Sequence, residues 1–223
     1  ESTPGTGTEF FIFLPRADVS ANRIADVLET EETIRDAENP QQFPQPFKGS
    51  VEFRDVSFRY PGADTDALEN ISFVAQPGKT TALIGSTGAG KSTIVNLIPR
   101  FYEVTGGSIL VDGTDIRDVT QHDLRDKIGY VPQKSALFSG TIESNLLYAD
   151  ENANEEMLRW AIETAQAAEF VTNTPEGMRA EIAQGGTNVS GGQKQRISIA
   201  RALVKRPPIY IFDDSFSALD FKT

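Results

Sequence analysis

The sequence predicts an α/β fold, and three observations carry that expectation. A glycine-rich loop, Gly85-Ser86-Thr87-Gly88-Ala89-Gly90-Lys91-Ser92, stands between an apolar run, Thr81-Ala82-Leu83-Ile84, and residues Ile94, Leu97, Ile98 and Phe101 at helical spacing. A second apolar run, Ile209-Tyr210-Ile211-Phe212, has the continuous character of a central parallel strand and ends in a carboxylate, Asp213. Between these and upstream of them, short alternating segments bounded by Gly, Pro and Asp read as antiparallel strands.

Composition narrows the class. Of 223 residues, 39% are apolar and 24% charged, the balance of a soluble globular protein. The net charge of −11 argues against a general nucleic-acid binder, which needs a basic face. With no cysteine, neither disulfides nor thiolate metal sites are open to it. No window of about 18 apolar residues marks a membrane span, and the acidic, polar start lacks the basic region of a secretory signal.

The elements follow in order. Residues 1–9, rich in Gly, Thr, Ser and Pro, are expected to be a disordered tail. Phe10 to Leu14 is apolar but short. Ala17 to about Ala37 reads as helix, with Ile24, Val27 and Leu28 on one face. Pro40, Pro44 and Pro46 mark an extended linker, and the domain boundary is placed near Phe47–Ser50. Val51-Glu52-Phe53 and Val56 to Tyr60 read as two strands, and Ile71 to Val74 as another. The run Thr81–Ile84 reads as a buried strand entering the glycine loop. Ser108 to Val111 meets the hairpin turn Asp112-Gly113. Ile128 to Val131 is a short strand, Thr141 to about Phe170 is mostly helical, and Ser190 to Val204 is a further helix. His122, the one histidine, is expected at the surface of a short helix.

The glycine loop carries the first chemistry. It fits G-x-x-x-x-G-K-[ST], the phosphate-binding P-loop. Chance supplies such a match in a chain this long roughly one time in a hundred. Glycines let backbone N–H groups turn inward around phosphate oxygens, and the following helix points its positive end at the same anion. Lys91 can reach the terminal phosphates and the Ser92 hydroxyl can ligate Mg²⁺. Asp213, at the carboxyl end of its strand, lies where ligands bind in open α/β sheets and is placed to hold Mg²⁺ directly or through water. Ser190-Gly191-Gly192-Gln193 reads in two compatible ways, as a capping box on the helix it opens and as an anion site at a helix N-terminus.

Val189-Ser190-Gly191-Gly192-Gln193, followed by Lys-Gln-Arg-Ile-Ser-Ile-Ala-Arg-Ala-Leu, closely resembles the signature motif of ATP-binding cassette (ABC) proteins, which usually carry Leu where Val189 stands. The resemblance runs from about Phe10 onward and is greatest to ABC exporters whose membrane and ATPase domains share one chain. It implies a P-loop NTPase of the ABC ATPase type, with a RecA-like parallel core sheet, an antiparallel β subdomain and a helical subdomain. Residues 10–46 then correspond to the end of the last transmembrane helix plus a linker, and 47–223 to the nucleotide-binding domain. Gly85 to Thr93 would bind ATP, Tyr60 would stack on adenine, and Gln133 would touch Mg²⁺ and the attacking water. Ser92, Gln133 and Asp213 form the implied Mg²⁺ set, with Asp214 and Gln133 as the catalytic pair. Ser190 to Gln193 would serve the ATP of a partner, and Ser217-Ala218-Leu219-Asp220 resembles the D-loop that crosses the dimer interface.

The implied partners are a second ABC nucleotide-binding domain, on a different chain, and the transmembrane domain of the same full-length protein, with no nucleic acid. The implied place is the cytoplasmic face of the plasma (inner) membrane, the fragment itself being soluble. Three departures qualify the resemblance. Asp214 stands where the family has its catalytic Glu, so this chain's own Walker site is expected to be degenerate. Ala183-Gln184-Gly185-Gly186 replaces the usual Gly-Glu-Arg-Gly before the signature. The family's switch histidine would fall beyond Thr223, and His122 precedes the Gln133 loop and does not substitute for it. The isolated fragment is therefore expected to be inactive. Two rival readings stay open: a nucleotide-binding regulatory half with negligible hydrolysis, and a soluble ABC ATPase outside transport.

Overall fold

The computed structural model describes residues 15–29 and 33–215. The apolar fragment at 10–14 and the Ser217–Asp220 segment lie outside the described residues. The chain divides into two compact units, 1–35 and 36–223. In the first, α1 (Pro15–Glu29) is shorter than the helix expected to about Ala37. Its last turn holds no basic residue to offset the negative end of the helix dipole, where Glu29 adds a further negative charge. Ile24 and Leu28 are exposed. No helix among the described residues is long and apolar enough to cross a membrane.

The second unit begins with the proline-rich stretch, which is laid down on the body. Asp36 accepts hydrogen bonds from the backbone N–H (2.9 Å) and side-chain amide (3.2 Å) of Gln121. Gln41 N–H donates to the carbonyl of Asp118 at 2.7 Å. Phe43 is buried in the core and meets Phe47 edge-on at 5.3 Å. The carboxylate of Asp112 takes the amides of Lys48 and Ser50 and the Ser50 hydroxyl. The apolar side chains explain the docking, since burying a Phe is worth roughly 1.5–3 kcal/mol. The boundary expected near 47–50 thus falls inside the larger unit.

The antiparallel part is a four-stranded sheet ordered β2-β1-β3-β4, with β1 (Val51–Phe58), β2 (Leu68–Ala75), β3 (Gly106–Val111) and β4 (Thr114–Asp115). The two strands expected between 51 and 60 are one. An irregularity after Phe53 absorbs the break in alternation, with Asp55 at φ +47° and its N–H held by the Ser72 hydroxyl at 2.8 Å. Gly107 faces this bulge at φ +74°, where a Cβ would run into the carbonyls of Arg54 and Asp55. Phe53 stacks on Phe73 at 4.6 Å. Phe53, Val56, Phe58, Ile109 and Val111 build one core with Leu97 and Leu124, from α2 (Lys91–Leu97) and α3 (Gln121–Asp126). His122 is exposed on α3, as expected.

The parallel part is a pair, β5 (Ile128–Val131) with β8 (Ile209–Phe212), in register from Ile128↔Ile209 to Val131↔Phe212. The strand expected at Thr81–Ile84 is not formed, and Ile84 is 94% exposed. A strand exists through its ladder partners, and among the described residues this run has none. Tyr210 is likewise half-exposed where two-sided burial was expected.

The helical part holds α4 (Ile142–Leu147), α5 (Glu155–Thr164), α6 (Ala168–Asn173) and α7 (Gly191–Val204), with a short ladder between β6 (Gly140–Thr141) and β7 (Glu181–Ile182). The segment from Thr141 to about Phe170, expected to be mostly helical, holds three helices, the first two opened by the side-chain caps Thr141 and Asn154. Leu146, Leu158, Ala161, Ile197 and Val204 form the second core. Trp160 on α5 is 38% exposed and carries the Arg206 guanidinium 4.6 Å above its ring.

Candidate nucleotide site

The loop before α2 turns on glycine. Gly88 and Gly90 both sit at φ +83°, a conformation other residues adopt at a cost. At Gly90, the N-cap of α2, a Cβ would also strike Leu68 Cδ2 at 2.7 Å, whereas at Gly88 it would meet nothing. The loop is therefore backed by β2 at one glycine and open at the other. Lys91 folds across it, its Nζ donating to the carbonyls of Gly85 and Ser86 at 2.8 Å each.

One residue on, the Ser92 hydroxyl donates to Asp213 Oδ1 at 2.9 Å, joining groups 121 positions apart in sequence. Beside them Gln133 Nε2 donates to Asp214 Oδ2 at 3.2 Å. Asp214 sits at φ +47°, which Asp tolerates better than most residues. Ser215, fully buried, donates its hydroxyl to the carbonyl of Val131 at 3.0 Å, and Asp213 N–H donates to the same oxygen at 3.0 Å. These bonds bind the carboxyl ends of β5 and β8 together, so Gln133 and the two aspartates leave the sheet side by side.

Tyr60 approaches from the end of β1. Its hydroxyl and that of Thr93 are 2.9 Å apart, and its ring lies edge-on to Phe58 at 4.7 Å and Tyr102 at 5.3 Å. Tyr130 on β5 donates to Asn96 Oδ1 on α2 at 2.7 Å. Burial, and then the negative charge of Asp213, push the Tyr130 phenol up to about 12, so it is a proton donor throughout the neutral range.

The signature stretch opens α7 through a reciprocal cap: Gln193 N–H donates to Ser190 Oγ at 3.2 Å, and Ser190 N–H to Gln193 Oε1 at 2.9 Å. Gly191 has open space where a side chain would stand. The preceding Ala183–Gly186 segment is shaped by Asn188, which bridges Ala183 N–H and the Glu181 carbonyl, and by Lys194, whose Nζ reaches the Gly185 carbonyl at 2.9 Å. The loop after Gln133 is fastened to α7 by Ser135 Oγ to Gln195 Oε1 at 2.7 Å and Arg201 Nη2 to the Ala136 carbonyl at 2.8 Å. Burial pushes the Arg201 guanidinium below its ordinary value.

The sequence-predicted residues thus gather in part. Lys91, Ser92, Asp213, Gln133 and Asp214 converge, with Thr93 and Tyr60 alongside. No hydrogen bond among the described residues joins Ser190–Gln193 to that group. Ser217, Ala218, Leu219 and Asp220 lie outside the described residues. Sequence reasoning missed Tyr130, Asn96 and Ser215, whose roles rest on partners far away in the chain. The donors at the convergence are hydroxyl, amide and carboxylate oxygens, the set a hard cation takes. No group of three or more His, Cys, Asp and Glu that could hold a metal occurs among the described residues. A Mg²⁺ held by one carboxylate, one hydroxyl and substrate phosphates needs no such group.

Similarity to known proteins points the same way. The family described as ABC transporter matches residues 68–217. An uncharacterized ABC transporter ATP-binding protein of Mycobacterium bovis is 48% identical over 213 residues, covering 94% of this chain and 36% of the relative. An ATP-dependent lipid A-core flippase of Syntrophus aciditrophicus is 42% identical over 200 residues, covering 90% and 33%. A solved structure of a bacterial Atm1-family ABC exporter with ATP bound superposes with a TM-score of 0.84 at 38% identity, covering 93% of this chain and 36% of that one. The chain spans about a third of the length of these relatives.

Proposed function

Since this chain belongs to the ABC transporter family, we propose that it is the ATP-binding domain of an exporter, binding MgATP at the P-loop and hydrolysing it in a head-to-tail dimer to drive transport. The observation that carries the reading is the Ser92–Asp213 hydrogen bond, which sets the P-loop hydroxyl against the carboxylate ending β8. In the proposed complex the loop amides cradle phosphate oxygens. Lys91 exchanges its two carbonyl partners for the terminal phosphates, and Tyr60 lies against the base. Ser92 and Asp213 would hold Mg²⁺, with Gln133 beside them; the cation's contribution is to offset the β/γ-phosphate charge. Gln133 and Asp214 would orient the attacking water.

Ser190 to Gln193 would complete the site of a second nucleotide-binding domain, carried on a different chain. Ser217 to Asp220 would cross the interface between them. The transmembrane domain would belong to the same full-length protein, and the domain would work on the cytoplasmic face of the plasma (inner) membrane, without nucleic acid. The Asp at 214 favours a second reading for this chain's own Walker site: ATP held there turns over slowly, and the partner's site does most of the hydrolysis. The test of the first reading is Lys91→Ala. It removes two charge-assisted contacts to phosphate, each worth roughly 1.5–3 kcal/mol, so ATP affinity measured by calorimetry should fall by on the order of 10²-fold or more. An unchanged dissociation constant would remove the assignment.

A further inference from the structure

Helix α2 hydrogen-bonds through side chains to three separate elements within six residues. Ser92 donates to Asp213 past β8 at 2.9 Å, Thr93 pairs with Tyr60 past β1 at 2.9 Å, and Asn96 accepts from Tyr130 on β5 at 2.7 Å. Ser92 and Asn96 are four apart, one turn along the same helix face. Both look onto the β5–β8 pair, because Tyr130 pairs with Ile211, two residues before Asp213.

These bonds differ in what a bound nucleotide would do to them. On the MgATP reading, Ser92 and Asp213 turn to the cation and Tyr60 turns to the base, so two of the three are given up on loading. The Tyr130–Asn96 bond lies a turn farther along and uses no group that the nucleotide needs. Nor does a strand hold the helix in place, since Thr80–Ile84 leads into the loop without a ladder. The Tyr130 ring is itself braced by Phe101, just past the end of α2, edge-on at 5.5 Å.

We propose that Tyr130 and Asn96 are a positioning pair that fixes α2 along the β5–β8 pair, so that Ser92 and Asp213 keep a spacing one divalent cation spans after their own hydrogen bond is broken. Neither residue touches substrate. The inference rests on the MgATP reading and concerns only the metal-dependent part of binding.

The test is a double-mutant cycle in the full-length protein with Tyr130→Phe, Asn96→Leu and the pair combined. Two quantities are read for each: ATP affinity in EDTA, and the Mg²⁺ concentration giving half-maximal nucleotide binding at fixed ATP. Losing one neutral hydrogen bond corresponds to about three- to tenfold, so the Mg²⁺ midpoint should rise by that factor in each single variant. The double variant should be no worse than either single one. Metal-free ATP affinity should stay within about twofold of wild type, as expected if neither side chain contacts the nucleotide. Equal weakening with and without Mg²⁺ would overturn the proposal, as would a lowered melting temperature with an unmoved Mg²⁺ midpoint; either makes the bond one of packing alone. Should Tyr130→Phe fail to fold, Asn96→Leu carries the same comparison. Wild-type protein that binds no ATP in either condition would instead defeat the MgATP reading, and the positioning role with it.

Discussion

On the proposed reading, the rate at this chain's own site turns on Asp214. A general base must lie within hydrogen-bond reach of the water it polarises. Asp is one methylene shorter than Glu, a deficit of roughly 1.3 Å given ordinary C–C geometry. A misplacement of about 1 Å can cost on the order of 10²-fold. The carboxylate accepts from the Gln133 amide nitrogen at 3.2 Å, so the two groups proposed to orient water already stand side by side. In full-length protein, Asp214→Glu is expected to raise turnover at this site toward that factor, while Asp214→Asn should change total ATPase activity little. Loss of all hydrolysis in Asp214→Asn, measured as phosphate release, would make Asp214 the working base instead. Lys91, Ser92 and Asp213 were legible in the sequence because a local pattern carries them. Tyr130, Asn96 and Ser215 were not: a Tyr in a strand, an Asn in a helix and a Ser after two aspartates acquire meaning only from partners 34 and 84 positions away.

Among the elements, α7 shows what local chemistry specifies. Ser190 and Gln193 cap each other's backbone three residues apart, a signal readable before any fold is known. Ser190→Ala should cost about 1 kcal/mol of stability by denaturant unfolding, whatever it does to a partner's nucleotide. The Thr81–Ile84 run shows the opposite: its apolar pattern states a preference for burial, but only a neighbouring strand could have made it β. The segment 36–50 shows a third case, in which prolines suggested a linker while Phe43, Asp36 and Gln41 tied it down. Its fastening should respond to acid. Backbone donation from Gln121 holds the Asp36 carboxyl below the ordinary aspartate value. For Asp112, burial pushes the carboxyl up, but the amides of Lys48, Ser50 and Gly49 outweigh it and the net shift is downward. Groups lowered by folding contribute fully above their unfolded value and lose that contribution as pH falls through the lowered one. NMR amide shifts of Gln121 and Ser50 should therefore hold steady from pH 8 to 5 and move below about pH 4. A change near neutrality would point to some other group.

Across the whole molecule, two cores share the larger unit. One lies under the antiparallel sheet and α2, the other among α4 to α7, and Gln133, Asp213 and Asp214 emerge where β5 and β8 end between them. Individual strands before the glycine loop and the helical stretch from Thr141 were legible from periodicity, while their division into a β part and a helical part was implied by the family resemblance. The contraction of the parallel sheet to a pair was not, because sheet width is a property of neighbours. The pairing of Arg206 with Trp160 has an optical consequence. This is the chain's sole tryptophan, so ultraviolet emission excited at the indole band comes from a single chromophore. That chromophore rides on α5 and is covered by a guanidinium from the turn that enters β8. Intrinsic fluorescence will thus register sliding of the helical part against the strand that delivers Asp213, with no dye attached. Arg206→Ala should shift the emission to longer wavelength as water replaces the cation over the ring. A spectrum identical to wild type would mean the ring is not covered in solution.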